Sequence, residues 1–237
     1  MTAALSSEIS LHPLLDNLPS SASTTTKQEE PSLPALPITL ICHCPPSSSP
    51  GPIKVTLTNQ ILHNHACGCS KCWKPSGALF SVVGVVPSSG LSVIANAEKL
   101  EVVDENATIQ RWKCKECGVH LYGRIEKQHP FRGLDFVHGE LALGQSGGSE
   151  GEGENEGGGL GEGKVEFAAF VSSIIEGGFE PHAHANGDEG KGGNIKQVRD
   201  RLREIFGEKV YDCLSPSLMD VIAEWEGRRS GKLKAVL

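Results

Sequence analysis

Cys67-Gly68-Cys69-Ser70-Lys71-Cys72 places three cysteines within six residues. Zinc is a borderline-soft ion that favours thiolates and takes four ligands in a tetrahedron at structural sites. Three local thiolates leave it one ligand short, and a three-ligand site with an open position is the arrangement of catalytic zinc. Two further cysteine pairs flank the triple, Cys42-His43-Cys44 upstream and Cys114-Lys115-Glu116-Cys117 downstream. Together the pairs supply four thiolates, enough to close one structural site. The count therefore predicts two zinc ions per chain, one enclosed by Cys42, Cys44, Cys114 and Cys117, and one held openly by Cys67, Cys69 and Cys72.

Disulfides and a thiol redox site are the other uses of such cysteines. Cysteines one residue apart hardly satisfy disulfide geometry. The opening Met1-Thr2-Ala3-Ala4-Leu5 has neither the basic region nor the apolar core of a secretory signal. A redox reading wants a βαβ context that the chain does not show. Cys213, between Asp212 and Leu214, stands apart and reads as a small buried hydrophobe. No apolar run approaches the roughly 20 residues of a membrane span. A cytoplasmic protein that does not engage membranes is expected.

The net charge of −7 is unevenly placed. Residues 1–38 carry −3, 39–143 carry +2, 144–163 carry −5 and 164–237 carry −1. The cysteine-bearing region is mildly basic, which suits a small anionic ligand. It lacks the concentrated Lys/Arg patch that nucleic acid requires.

The elements that must position these thiols are short strands. Ile38–Ile41 is a β-favouring run that delivers Cys42 and Cys44, and in extended chain the i and i+2 side chains share a face while His43 points away. Ile53, Val55 and Leu57 alternate with polar residues and complete a hairpin. Further strands are predicted within Ala78–Val86, which Gly84 interrupts, and over Leu91–Ala95, Leu100–Val103, Thr108–Lys113, Val119–Ile125 and Leu134–Val137. Order returns at Val165–Val171. Two amphipathic helices follow. One has Ile195, Val198, Leu202, Ile205 and Phe206 on one face, between Asn194 as N-cap and Gly207 as terminator. The other has Leu218, Val221, Ile222 and Trp225, with Ser215 as N-cap, Pro216 at the first position and Gly227 beyond the end. Both apolar stripes are expected to pack on the β domain. A largely flexible arm over 1–37, a disordered Gly/Glu insertion at 144–163 and a polar loop at 181–193 surround this single domain of 38–237. His182 and His184 in that loop are read as solvated.

The segment His63-Asn64-His65-Ala66-Cys67-Gly68-Cys69-Ser70-Lys71-Cys72-Trp73-Lys74-Pro75 running into Gly77-Ala78-Leu79-Phe80 resembles the glutathione-dependent formaldehyde-activating enzyme family. Cys114-Lys115-Glu116-Cys117-Gly118-Val119-His120, Gly133-Leu134-Asp135-Phe136, Phe170-Val171-Ser172-Ser173-Ile174-Ile175-Glu176 and Tyr211-Asp212-Cys213-Leu214-Ser215-Pro216 extend the likeness. The cysteine pattern alone marks only a wider superfamily that includes centromere protein V-like proteins. The resemblance implies a mainly β, β-tent-like zinc fold. It assigns Cys42, Cys44, Cys114 and Cys117 to a structural zinc and Cys67, Cys69 and Cys72 to a catalytic one. It also implies the condensation of glutathione with formaldehyde to S-(hydroxymethyl)glutathione, a carbon–sulfur lyase activity of formaldehyde detoxification.

In that reaction the open metal position would ionise the glutathione thiol, since the thiolate is the nucleophile. Lys71, Lys74, Arg124 and Arg132 are possible partners for glutathione's carboxylates, and His65 or His138 for a proton. A non-catalytic zinc carrier of glutathione would share this sequence. A structural or chromatin-interaction module would favour a basic extension, and the extensions here are neutral to acidic.

Overall fold

The computed structural model describes residues 10–16, 36–142, 164–176 and 195–233. The Gly/Glu insertion, the polar loop with His182 and His184, Asn194 and most of the N-terminal arm lie outside them. The described chain is mainly β. A three-stranded sheet runs β1 (Ile38–Ile41), β2 (Lys54–Leu57), β5 (Leu91–Ala95). The second sheet has seven strands in the order β10 (Phe167–Ala169), β3 (Leu62–Cys67), β4 (Ser81–Pro87), β9 (Leu134–His138), β8 (His120–Arg124), β7 (Gln110–Cys114), β6 (Leu100–Val102).

The alternation in the sequence is what the strands bury. Val55 and Leu57 of β2 are fully buried, as is Ile53 just before it, while Lys54 is exposed. Each such aliphatic side chain contributes about 1.5–3 kcal/mol on leaving water. They join Leu40, Val86, Leu121 and Val137 in one apolar cluster that also contains Cys42, Cys44 and Cys114. A second cluster gathers Ala66, Phe80, Val82, Ala168, Val171 and Ile174 with Val198 and Leu202 of α2 (Ile195–Phe206). Leu11 and Leu15, flanking and within the four-residue α1 (Pro13–Asp16), are fully buried there too. Their segment is pinned by the amides of Leu79 and Phe80, both donating to Leu11 O at 3.1 Å. This piece of the arm is thus part of the core.

One strand pair departs from the antiparallel pattern. β10 runs parallel to β3, with Ala169 opposite Cys67. A parallel neighbour needs a long crossover, and here everything from the triple to residue 166 intervenes. Gly84, the interruption in the β-branched run, faces a bulge. The β3–β4 register shifts between Leu62 and His65, and His63 sits at φ 54°. A Cβ at Gly84 would lie 2.3 Å from Ile61 Cγ2 and 2.5 Å from Asn64 Oδ1, so no larger residue fits.

The C-terminal helix α3 (Pro216–Arg229) forms where the sequence predicts it, with Ser215 at the N-cap position and Pro216 in the first turn. It does not pack as a core face. None of its residues is buried, and Met219 and Val221 are exposed. The helix also continues through Gly227, which lies against Leu233, instead of ending before it. Leu218, Ile222 and Trp225 of its apolar stripe are only half-buried. The shorter-range expectation for α2 holds, with Gly207 at φ 60° closing the helix through its amide to Arg203 O at 2.8 Å. Cys213 is exposed, a correction to its reading as a buried hydrophobe.

Arg124 and Asp135 stand opposite each other on β8 and β9. Arg124 Nε donates to Asp135 Oδ1 at 2.9 Å and Nη2 to Oδ2 at 2.5 Å, while Ser88 Oγ donates to Oδ1 at 2.8 Å. Asp135 is fully buried. Removing one partner of a buried ion pair leaves an uncompensated charge. Arg124→Leu is therefore expected to lower unfolding stability by about 3 kcal/mol, read from urea denaturation. An unchanged midpoint would show that the pair contributes nothing net.

Candidate metal centres

Both thiol groups predicted from spacing converge in space. The sulfurs of Cys42, Cys44, Cys114 and Cys117 lie within 4.8 Å of one another, and so do those of Cys67, Cys69 and Cys72. All eight cysteines are free thiols. Zn–S bonds of about 2.3 Å in a tetrahedron put sulfurs about 3.8 Å apart. Cys44 and Cys114 are separated by 3.6 Å, as are Cys67 and Cys72. Cys69 and Cys72 are closer, at 3.1 Å. The donor sets fit a thiophilic metal at both places.

The four-cysteine group lies inside the first apolar cluster. Cys42 and Cys44 follow β1, both buried, with His43 exposed between them. Cys114 ends β7, and a tight turn at Gly118 (φ 73°) brings Cys117 back beside it. Burial works to raise the Cys114 thiol, but the backbone N–H groups of Cys117 and Glu116 outweigh it and hold the thiol down. Burial pushes Cys44 far up.

Lys99, to which the sequence gives no role, is 4% exposed. Its Nζ lies 3.4 Å from Cys44 Sγ, donates to Gly51 O at 2.9 Å and Pro50 O at 3.2 Å, and pairs with Glu116 at 2.6 Å. A buried ammonium is costly unless paired, and four thiolates around a divalent ion carry a surplus of negative charge. Lys99 is placed to offset such a surplus, 3.4 Å from Cys44 Sγ. Lys99→Met should weaken metal binding at this group by about 10- to 100-fold, the usual cost of losing a residue that supports a ligand. Chelator competition would show one of two metals released earlier, and an unchanged release curve would contradict it. No sequence signal could have flagged Lys99, because its contacts come from loops some fifty residues away.

The three-cysteine group sits at the end of β3 and belongs to neither apolar cluster. Cys67 is buried, while Cys69 and Cys72 are partly exposed in the turn that follows. Gly68 is required between them: its amide donates to Ala169 O at 2.9 Å, and a Cβ would fall 2.4 Å from Phe170 O. Lys74 Nζ donates to Cys69 O at 2.5 Å and fixes the turn. Hydrogen bonds from Cys67 and Cys72 hold the Cys69 thiol far below the ordinary range. Those from Cys69 and Cys72, with burial, push Cys67 well above it. Cys67 works to lower Cys72, but Cys69 and burial raise it to about 11. A metal is what would let all three ionise together.

The cations expected near glutathione are not equivalent. Arg124 is engaged by Asp135 and Lys74 by the turn carbonyl. Arg132 lines a cleft of about 440 Å³ with His129, Trp225, Arg228 and Arg229, against α3. Lys71, between two of the cysteines, is exposed. Arg111 on β7, which the sequence did not single out, adds to the lowering of Cys69 behind the thiol hydrogen bonds, and its charge also acts on Cys72 and His120. Among the described residues it forms no ion pair with a carboxylate.

The histidines also separate. His65 is buried, stacked on Phe167 at 5.0 Å, with Nδ1 3.0 Å from His63 O. His138 is buried with Nδ1 3.2 Å from Glu140 Oε1. Trp73, the residue after Cys72, meets both His138 and His43 edge-on, at 5.9 and 5.3 Å. One indole thus connects the surroundings of the two thiol groups.

The profile described as glutathione-dependent formaldehyde-activating enzyme matches residues 37–141, which span both groups. A Podospora anserina protein carrying that description is 53% identical over 224 residues, covering 94% of this chain and 86% of its own. An Emericella nidulans protein is 51% identical, covering 96% of each. A Phaeosphaeria nodorum protein is 50% identical, covering 96% of this chain and 99% of its own. A solved Rhodobacter sphaeroides protein aligns with 54% of this chain and 96% of its own at 20% identity and a TM-score of 0.34, too low to bear on fold or function. Identity of this order along nearly the whole of both chains makes the sequence a member of the glutathione-dependent formaldehyde-activating enzyme family.

Proposed function

We propose that this chain condenses glutathione with formaldehyde to S-(hydroxymethyl)glutathione, as a zinc-dependent lyase with two zinc ions. Cys42, Cys44, Cys114 and Cys117 hold the structural ion, and Cys67, Cys69 and Cys72 the catalytic one. The observation that carries this reading is the difference between the groups. Four thiols lie together against the core, three of them buried, whereas the other three stand outside both apolar clusters, two of them partly exposed. Family membership supplies the substrates.

Zinc at the triple would supply a Lewis acid able to ionise a thiol at neutral pH. The chain's own residues do the rest. Gly68 lets the cysteine turn lie against Phe170, and Lys74 fixes its carbonyl. Lys71 and Arg111 offer positive charge to glutathione's carboxylates near the thiols. Eight free thiols suit the cytoplasm, where glutathione is kept reduced. No helix among the described residues is long and apolar enough to cross a membrane.

Protein purified under reducing conditions is expected to carry two zinc ions per chain by elemental analysis and to accelerate exchange between free and glutathione-bound formaldehyde. One zinc or none would overturn the two-site reading.

A further inference from the structure

Four ionisable side chains from separate segments converge beside the triple without apolar reason to do so. His12 immediately precedes α1, His120 comes from β8, His138 from the end of β9, and Glu140 from the 3-10 turn Gly139–Leu141 that follows. His12 is 1% exposed, and the side chains of His138 and Glu140 are 6% and 5% exposed. Three of their polar atoms, His12 Nε2, His120 Nδ1 and Glu140 Oε2, are buried without a hydrogen-bond partner. A buried polar atom without a partner is costly, and groups of this kind are kept where chemistry needs them.

The hydrogen bonds set the protons. His138 Nδ1 faces the Glu140 carboxylate, which only accepts, so Nδ1 carries the hydrogen and the neutral ring presents its lone pair on Nε2. Nε2 itself has no hydrogen bond and is not among the fully buried atoms. Glu140 Oε1 is also held by the Val82 amide at 3.3 Å. Leu14 N donates to His12 Nδ1 at 3.1 Å, so the His12 proton is on Nε2, a donor complementary to Glu140 Oε2. His120 stands edge-on to His138 at 6.1 Å and is depressed to about 4, chiefly by burial.

This group is placed for the condensation. His138 is in register with Val83, and Val83 with His65, two residues before Cys67 on the same face of β3. Trp73 bridges from the last cysteine of the triple to the His138 ring. His65 is the poorer candidate, since its Nδ1 faces a neutral backbone carbonyl and not a carboxylate, and its ring is stacked on Phe167.

We propose that His138, oriented by Glu140, is the proton carrier of the condensation. Its Nε2 accepts the proton that the glutathione thiol loses on ionising, and returns it to the formaldehyde oxygen as the carbon–sulfur bond forms and the carbonyl π bond becomes a lone pair there. The S–H bond is broken and an O–H bond made, with no redox change and no third reactant. Glu140 is a positioning residue that fixes the tautomer and stabilises the transient imidazolium, by the logic that orients histidine in hydrolase triads.

This inference rests on the condensation reading, and the test separates the two. Exchange rates, glutathione Kd and zinc content are measured for wild type, His138→Gln and Glu140→Gln. His138→Gln is expected to keep two zinc ions and its glutathione Kd within about twofold, while the saturated exchange rate falls about 100-fold, the lower end of general acid–base contributions. Glu140→Gln, which retains a hydrogen-bonding shape, should fall about tenfold with the same unchanged Kd, and decides the matter if His138→Gln does not fold. Full rates in either folded variant overturn the proton-carrier role. So does a loss of rate that only follows loss of zinc or of glutathione binding. A wild-type protein without acceleration would instead remove the condensation reading itself.

Discussion

Cys69→Ser is expected to bring formaldehyde–glutathione exchange down to the uncatalysed rate while the protein stays folded. Cys69 lies in a partly exposed turn outside both apolar clusters, so its replacement removes a metal ligand and little packing. Two remaining thiols cannot hold zinc as three do, and zinc content should fall from two per chain toward one. The four-cysteine group is untouched. Circular dichroism should remain native, and a stability loss of 1 kcal/mol or less moves Tm by only about 2–4 °C in a chain of this size. If Cys69→Ser unfolds, the two groups have their roles reversed. Retained exchange would mean that the triple is not where the reaction occurs.

Cys114→Ser should behave in the opposite way and fail to fold. Cys114 is fully buried, sits 3.6 Å from Cys44, and closes the group that the first apolar cluster surrounds. Structural zinc sites contribute apparent binding energies of about 10–16 kcal/mol at neutral pH. A whole domain is stable by only about 5–15 kcal/mol, so the loss of this ion exceeds what the remaining core can offset. The measurement is the thermal melt with zinc analysis, and chelator treatment of the wild type should reproduce it. A Cys114→Ser protein with a wild-type melt would show that the core holds without the metal.

Both thiol groups were legible because metal ligation depends on residue type and short spacing, and cysteines are rare enough for spacing to stand out. The β2, β5 and β9 positions were legible because period-two burial is a local pattern. α3 misled because its helical spacing is equally local, whereas its burial depends on a partner surface, which covers Leu218, Ile222 and Trp225 only in part. Arg124 looked like a free cation until β8 and β9 paired it with Asp135. Lys99, Arg111 and the His12–His138–Glu140 association required the tertiary fold, since each joins segments tens of residues apart. The parallel pairing of β10 with β3 was hidden for the same reason.

The central claim is that the three-cysteine site accelerates the reaction and does not merely hold glutathione. Two-dimensional NMR exchange spectroscopy on equilibrated formaldehyde and glutathione tests it most directly. The rate between free and glutathione-bound formaldehyde should rise in proportion to zinc-loaded wild-type protein and return to the buffer value with Cys69→Ser. Wild-type protein that binds glutathione with two zinc ions in place, yet leaves the exchange rate at the buffer value, would contradict the account and identify a carrier instead.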